Sequence, residues 1–434
     1  MAKRVHNWGK YPSIEAPIHR LKDALPTSSW IARGMGRCYG DSALAHHMIS
    51  NLHLNHFLDF DVESGILTCE SGVTYRELLR VFVPKGWFPP VTPGTQFVTL
   101  GGAIASDVHG KNHHVAGSIR QHILEFDLLT GKGEVLTCSP TQHPEVFDAT
   151  FGGMGLTGMI LSLKIQLKAI ETAYVDQVSI KARHLEEILD LFDEFEEATY
   201  SVAWIDTLAS GKNMGRSILQ KGEHTRKEDL GRTDPLVIAP QSSLSVPLDL
   251  PSFTLNKWSI SAFNFLYYHK QFSQRKSSTI PYLPFFYPLD SILHWNRIYG
   301  KKGFTQYQLV IPKAAGKIGI PRVLQFLHKY NLNSFLSVLK MFGEGEGLMS
   351  FPMAGYTLTL DIPIRARIFP LLDELDRIVL DHGGRLYLTK DARMKPEVFQ
   401  QMYPKWGAFQ EIIQKLDPEG NIQSLQSERL QIRT

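Results

Sequence analysis

Cysteine is scarce. Cys38, Cys69 and Cys138 are the only three in 434 residues, widely spaced and odd in number. That pattern argues against a disulfide framework, and no CxxC pair suggests zinc. A reducing compartment is the simple reading. An excess of one charge is also missing: 46 lysines and arginines face 43 aspartates and glutamates, leaving a formal +3. A dedicated nucleic-acid binder would show a basic stripe, so that class is set aside. No run of about 18 apolar residues is present to span a bilayer. The N-terminal "MAKRVHNWGKYPSIEAP" is basic but lacks the apolar centre of a signal peptide. The expected location is cytoplasmic, at most peripheral at a membrane face. There is no internal repeat and no low-complexity tract.

What is present is a globular balance, 43% hydrophobic and 21% charged, over a length that suits two domains. "GILTCE" (65–70) reads as a strand, and Thr74 with Glu77 forms a capping box for a short helix. "HILEFDLLTGKGEVLTC" (122–138) reads as a hairpin around Gly131 and Gly133. Leu161, Leu163, Ile165 and Leu167 alternate with polar residues, as in a half-buried strand.

Beyond residue 170 the character changes. Leu185, Ile188, Leu189, Phe192 and Phe195 share one helical face. Pro321 is placed at the first position of a helix over "PRVLQFLHKY". A third helix spans 367–384, with Leu371, Leu375, Ile378 and Val379 on one face. "QYQLVIP" and "YTLTLDIPI" are strands between them, so an antiparallel sheet covered by helices is expected. The fold class is α+β. Residues 263–295 are dense in aromatics and prolines without clear periodicity. They read as a loop packed on the core or, alternatively, as an apolar entrance that touches membrane.

Three glycine-rich blocks lie in the first part. "ARGMGRCYGDSA" (32–43) has GxGxxxG spacing, not the GxGxxG of a Rossmann loop, and can form an anion nest. In "TPGTQFVTLGGAIASDVHG" (92–110), Thr99 can cap a short helix whose exposed N–H groups suit a diphosphate. "FGGMGLTGMI" (151–160) is the third. Each is weak alone, but three in one strand-rich region are hard to explain as turns. The second block runs into "DVHGKNHH", where His109, His113 and His114 look at first like metal ligands. No cysteine or carboxylate set accompanies them, so no metal is expected.

These blocks, with "QYQLVIP", "FLSVLKMFG" and "GGRLYLTKDAR", resemble the flavin oxidoreductases of the vanillyl-alcohol-oxidase type. The resemblance covers nearly the whole chain and is closest to a branch acting on a polyprenyl-phosphate-linked pentose. It implies a PCMH-type FAD-binding domain over 1–172, a substrate domain over 173–385, and a return to the FAD domain over 386–434. Cofactor contacts are implied for Arg33, Gly34, Met35, Gly36, Arg37, Cys38, Tyr39, Gly40 and Asp41 in the first block. In the second they are Gly94, Thr99, Gly101, Gly102, Ser106, Asp107 and His109; Gly155, Gly158 and Tyr387 complete them. Lys390, Tyr387 and His109 are implied as catalytic. Tyr39, Lys111, Gln306, Gln308, Lys340, Thr357 and Lys390 are implied as substrate-binding.

Many members tether flavin to a histidine in the first block. Here Arg37-Cys38-Tyr39-Gly40 occupies that place, so FAD is expected without a covalent link, with Cys38 as the alternative tether. Where relatives of the branch carry a cysteine, this chain has Thr359, and Thr357 replaces a nearby asparagine. The implied reaction is oxidation of a secondary sugar hydroxyl to a keto sugar, the first half of an epimerisation completed by a short-chain reductase. Its setting would be the arabinan precursor of cell-wall biogenesis. The alternative is a sugar-alcohol or aldonolactone oxidase with a soluble substrate. A flavin-binding scaffold without turnover is disfavoured by the retained Lys390 and Tyr387.

Overall fold

The alternating run at 161–167 forms the strand Met159–Gln166, central in a five-stranded antiparallel sheet. Its neighbours are Ile66–Glu70 and Ile123–Leu129, the latter continuing through the expected hairpin into Val135–Cys138. A three-stranded parallel sheet stands beside it, built from Ile18–Arg20, His47–Ser50 and Trp30–Arg33. The computed structural model describes residues 2–21, 28–231, 233–239, 243–251, 253–332 and 334–433. Thr74 and Glu77 close the expected capping box on the helix Tyr75–Phe82.

The second half centres on an eight-stranded sheet whose neighbours all pair antiparallel. Helices Leu185–Glu194, Lys313–Lys329 and Ile368–Asp381 pack on one face. Strand periodicity divides its residues cleanly. Ala203, Leu309, Leu339 and Leu358 enter the core under the helices. Their neighbours Val202, Trp204, Gln308, Lys340 and Thr359 face the opposite way, into a cavity. Sheet geometry thus sets which side chains reach the site.

Three expectations need correction. Pro321 does not open a helix but sits inside one of 17 residues that begins at Lys313. Gly316 and Gly319 let this helix lie close on the sheet, where an added Cβ would strike Tyr356 and Ile311. That packing holds the segment helical despite the ladder bond Pro321 cannot make. In the helix Ile368–Asp381, Leu372 is fully buried, whereas Leu371 and Ile378 are half-buried. Residues 263–295 are also not a loop. They comprise most of the helix Lys257–His269, the edge strand Arg275–Pro281 and the short helix Tyr282–Phe286. Tyr282, Phe285, Phe286 and Tyr287 join Phe88 and Tyr200 in a buried aromatic cluster.

The last 45 or so residues run back across the first half. Trp30 N donates to Asn421 O at 2.7 Å, and Tyr39 N donates to Thr389 O at 3.0 Å. Gly40 passes so near this segment that a Cβ there would lie 1.7 Å from the Asp391 carbonyl oxygen. Only glycine fits. Arg429 bridges Asp41 and Asp391, 2.8 Å from each.

Candidate active site

A cavity of about 820 Å³ is lined on one side by the three glycine blocks and on the other by the large sheet. That volume suits a cofactor site. The strand Trp30–Arg33 ends where the first block begins, and the amides of Gly34 to Cys38 donate to no group among the described residues. Successive free N–H groups of this kind make an anion-binding concavity. A Cβ at Gly94 would meet nothing within 4 Å, and one at Gly155 only Ile31 at 3.6 Å. These glycines border open space, as a cradle for a large ligand requires.

The second block behaves differently from expectation. Thr99 does cap the helix Leu100–Ala105, its hydroxyl accepting from Gly102 N at 3.2 Å. But Leu100 N donates to Val73 O and Gly101 N to Ser71 O, at 2.8 Å each. The helix start therefore has few amides left for a phosphate, and the free ones belong to the first block.

Arg33 is also committed elsewhere. Its guanidinium donates to Ala43 O at 2.7 Å and His6 O at 2.9 Å, fixing the first block in shape. Arg37 instead stacks on Trp8, 4.0 Å from the ring centre, with Phe97 on another side. Met35, Gly36, Cys38, Ser106 and Gly158 line the cavity as the resemblance implies. Gly40, Asp41 and Asp107 do not. Asp41 holds Arg429, and Asp107 binds the Ser350 hydroxyl. Both are structural supports one layer behind the wall.

The three histidines of "DVHGKNHH" have separate partners. His109 Nε2 lies 3.1 Å from Gln308 Nε2 and therefore accepts its hydrogen. His113 packs on Phe342, and His114 Nε2 meets Ala198 O at 2.8 Å. Burial, with Lys340 close by, holds His109 well below the usual imidazole range, so it is neutral. Tyr387 packs against His109 and donates its hydroxyl to Ser106 O at 2.6 Å. That hydroxyl is occupied, which makes Tyr387 a rigid wall rather than a proton carrier.

Three half-buried lysines also line the cavity. Lys340 extends from the strand Ser337–Phe342, and Lys111 reaches over the Phe285 ring to the Phe285 carbonyl. Lys390 Nζ lies 4.1 Å from the Tyr39 ring centre. Desolvation lowers all three, Lys111 and Lys340 to about 7 and Lys390 to about 8. Their mutual repulsion adds to this at Lys340 and Lys111. At Lys390 the Asp361 carboxylate partly offsets burial. Asp361 is itself raised to about 7 by burial, against the hydrogen bond from Gln306 Nε2 at 2.5 Å.

Asp361 was not anticipated, although a carboxylate inside the apolar strand "YTLTLDIP" was the available signal. Asn51, Arg76 and Asp290 line the cavity and were likewise not anticipated, whereas Asp361 stands behind Gln306. Thr357 does not reach it; the fully buried hydroxyl is 3.3 Å from Gln308 Nε2. Thr359, two residues on and on the same strand face, lines the cavity in its place.

A glycine cradle with free amides, sharing one cavity with the large sheet and with three lysines of lowered pKa, defines a FAD-binding oxidoreductase. The family described as FAD binding domain matches residues 27–139. The decaprenylphosphoryl-beta-D-ribose oxidase of Mycolicibacterium smegmatis is 36% identical over 411 residues, covering 93% of this chain and 89% of that protein. An uncharacterized protein in the mprA 5′ region of Streptomyces coelicolor is 32% identical, over 82% of this chain and all of that protein. Cytokinin dehydrogenase 2 of Arabidopsis thaliana is 29% identical over only 36% of this chain and 32% of its own length. The chain belongs to the decaprenylphosphoryl-β-D-ribose oxidase family. Its cofactor is FAD.

The mode of attachment follows from the first block. Burial raises the Cys38 thiol above its ordinary range, and a protonated thiol is a poor nucleophile. FAD is therefore expected to come away when the protein is precipitated with acid. Colour in the supernatant after centrifugation checks this; a yellow pellet would show a covalent link.

Proposed function

We propose that this protein oxidises a secondary hydroxyl of a polyprenyl-phosphate-linked pentose to the ketone. The supporting observation is that Lys111, Lys340 and Lys390, from three separate elements, line one cavity together with Gln306 and Gln308 of the large sheet. Lysine ammonium groups can hold a phosphate, and the amides and hydroxyls beside them suit a sugar. Residues 1–172 and 386–434 then form the cofactor half, and 173–385 the substrate half.

FAD, when bound, supplies the two-electron sink for the carbinol hydrogen. The amides of Gly34 to Cys38 are suited to its diphosphate, and His109 and Tyr387 to the flavin-side wall. Lys390 is the general base that takes the hydroxyl proton. It can do so because burial brings its pKa near neutrality, where a free amine is populated. Gln306, held by Asp361, and Gln308, held against His109, orient the sugar. Lys340 and Lys111 donate to the phosphate, whose negative charge favours their protonated forms. A separate reductase would return the ketone to the epimeric alcohol.

The sign of the pH dependence follows. A base must be unprotonated, so the rate of flavin reduction rises with pH and levels off above about 8, the Lys390 value. Asp361 ionises in the window below it, near 7. Anaerobic mixing of holoenzyme with a polyprenyl-phosphate pentose should bleach the flavin along that profile, and free pentoses should act far more weakly. Bleaching by free polyols or aldonolactones with equal efficiency would favour the soluble-substrate reading and overturn this one.

A further inference from the structure

The helix Lys257–His269 is built inside out. Its capping box, Asn256 with Ser259, sets the start, and Ile260, Asn264 and Tyr268 face the protein. The inward face carries the polar contact: Asn264 Nδ2 donates to Asp206 Oδ1 at 2.7 Å, and Arg216 pairs with the same carboxylate. The outward face carries Trp258, Phe265 and Leu266, exposed by 83%, 54% and 67%. Phe272, just past the helix, is 97% exposed.

Among the described residues, nineteen large apolar side chains are prominently exposed, and eight of them fall between Leu244 and Phe272. Trp258, Phe265 and Leu266 share one face of a single helix, unlike the singly scattered exposure normal for a surface. No helix among the described residues is long and apolar enough to cross a membrane.

Charge singles out the occupant. From Leu250 to Leu289 the chain has no aspartate or glutamate, but it has Lys257, Lys270, Arg275 and Lys276. All four are exposed. A basic rim around an apolar face with a tryptophan matches a helix lying in the plane of an anionic bilayer surface. The same helix also reaches the site: Phe263 and Tyr267 line the cavity, and Tyr267 packs on Trp204 from the large sheet. One helix thus carries both the outer apolar face and, through the partly exposed Phe263 and through Tyr267, part of the cavity wall.

We infer that the helix Lys257–His269 docks the protein on an anionic lipid surface, so that a prenyl chain can pass between bilayer and cavity along Phe263 and Tyr267. The choice of a lipid occupant rests on the substrate reading above. Docking keeps the apolar tail beside the membrane while the phosphate and sugar reach the lysines. Lys257 and Lys270 at the two ends of the helix supply the electrostatic part, which salt screens.

Flotation of the holoenzyme with vesicles tests this without substrate. It should float with phosphatidylcholine vesicles containing phosphatidylglycerol, and poorly with phosphatidylcholine alone or at high salt. Trp258→Ser/Phe265→Ser/Leu266→Ser should lower the bound fraction by about tenfold or more. The three side chains are outside the cavity, so flavin content and flavin reduction by a short-chain, detergent-dispersed substrate should be unchanged. Lys257→Glu/Lys270→Glu should weaken binding to the anionic vesicles alone. Wild type that floats with neither vesicle, or a triple variant that floats like wild type, overturns the inference. So does wild type that only self-associates through the patch. Vesicle binding without flavin reduction by any pentose would overturn the substrate reading and leave the docking standing. Reduction without vesicle binding would do the reverse.

Discussion

Lys390→Ala is expected to slow substrate-driven flavin reduction by about 10²–10⁴-fold, the usual cost of losing a positioned base, while FAD stays bound. The two effects separate because different parts of the fold carry them. Lys390 follows the turn closed by its amide on Tyr387 O, at 2.9 Å, and projects over the Tyr39 ring. The free amides at 34–38 belong to a loop whose shape is set by Arg33 and Asn7. Removing the lysine leaves that loop intact. Lys390→Arg should not rescue the rate, because a guanidinium keeps its proton throughout the working range. Anaerobic stopped-flow reduction, with FAD content measured in parallel, checks both expectations. Near-normal reduction in the alanine variant would remove Lys390 from the chemistry.

Arg429→Ala should cost about 3–5 kcal/mol of stability, the range for breaking a buried ion pair by deleting one partner. Arg429 holds Asp41 through two nitrogens, Nε at 2.9 Å and Nη2 at 2.8 Å, and Asp391 through Nη2. Both carboxylates are almost fully buried. Burial pushes the Asp391 carboxyl up, but Arg429 and Arg393 outweigh it and leave the group below its ordinary value. Without Arg429, two carboxylates near one another lose their shared cation. The consequence extends to function, because this is the clasp between the C-terminal segment and the first glycine block. Weaker FAD retention is therefore expected along with the lost stability. Thermal release of flavin fluorescence reads both at once. Arg429→Lys should recover only part, since an ammonium cannot hold both carboxylates with the same fork. An unchanged release temperature in the alanine variant would refute the clasp.

The sequence by itself determined the local parts of this protein. The period-two run at 161–167, the Thr74–Glu77 box, the hairpin at 122–138 and the helical face at 185–192 depend on neighbours a few residues away. Such signals survive without tertiary context. The three glycine blocks also marked the cofactor half, because bare backbone at close spacing is a local property. Tertiary structure decided the rest. Whether an amide is free depends on what folds against it, so Gly101 proved occupied by Ser71, whereas Gly34 to Cys38 were left open. Pro321 stays helical because a sheet supports the turn around it. Thr359 rather than Thr357 faces the cavity because Gln308 from the neighbouring strand covers the latter. Asp361 and the lysines 111, 340 and 390 are far apart in the chain, and their pKa values move only once strands and loops from both halves exclude water from them. Desolvation and mutual charge are properties of the assembled site, and no single segment of sequence contains them.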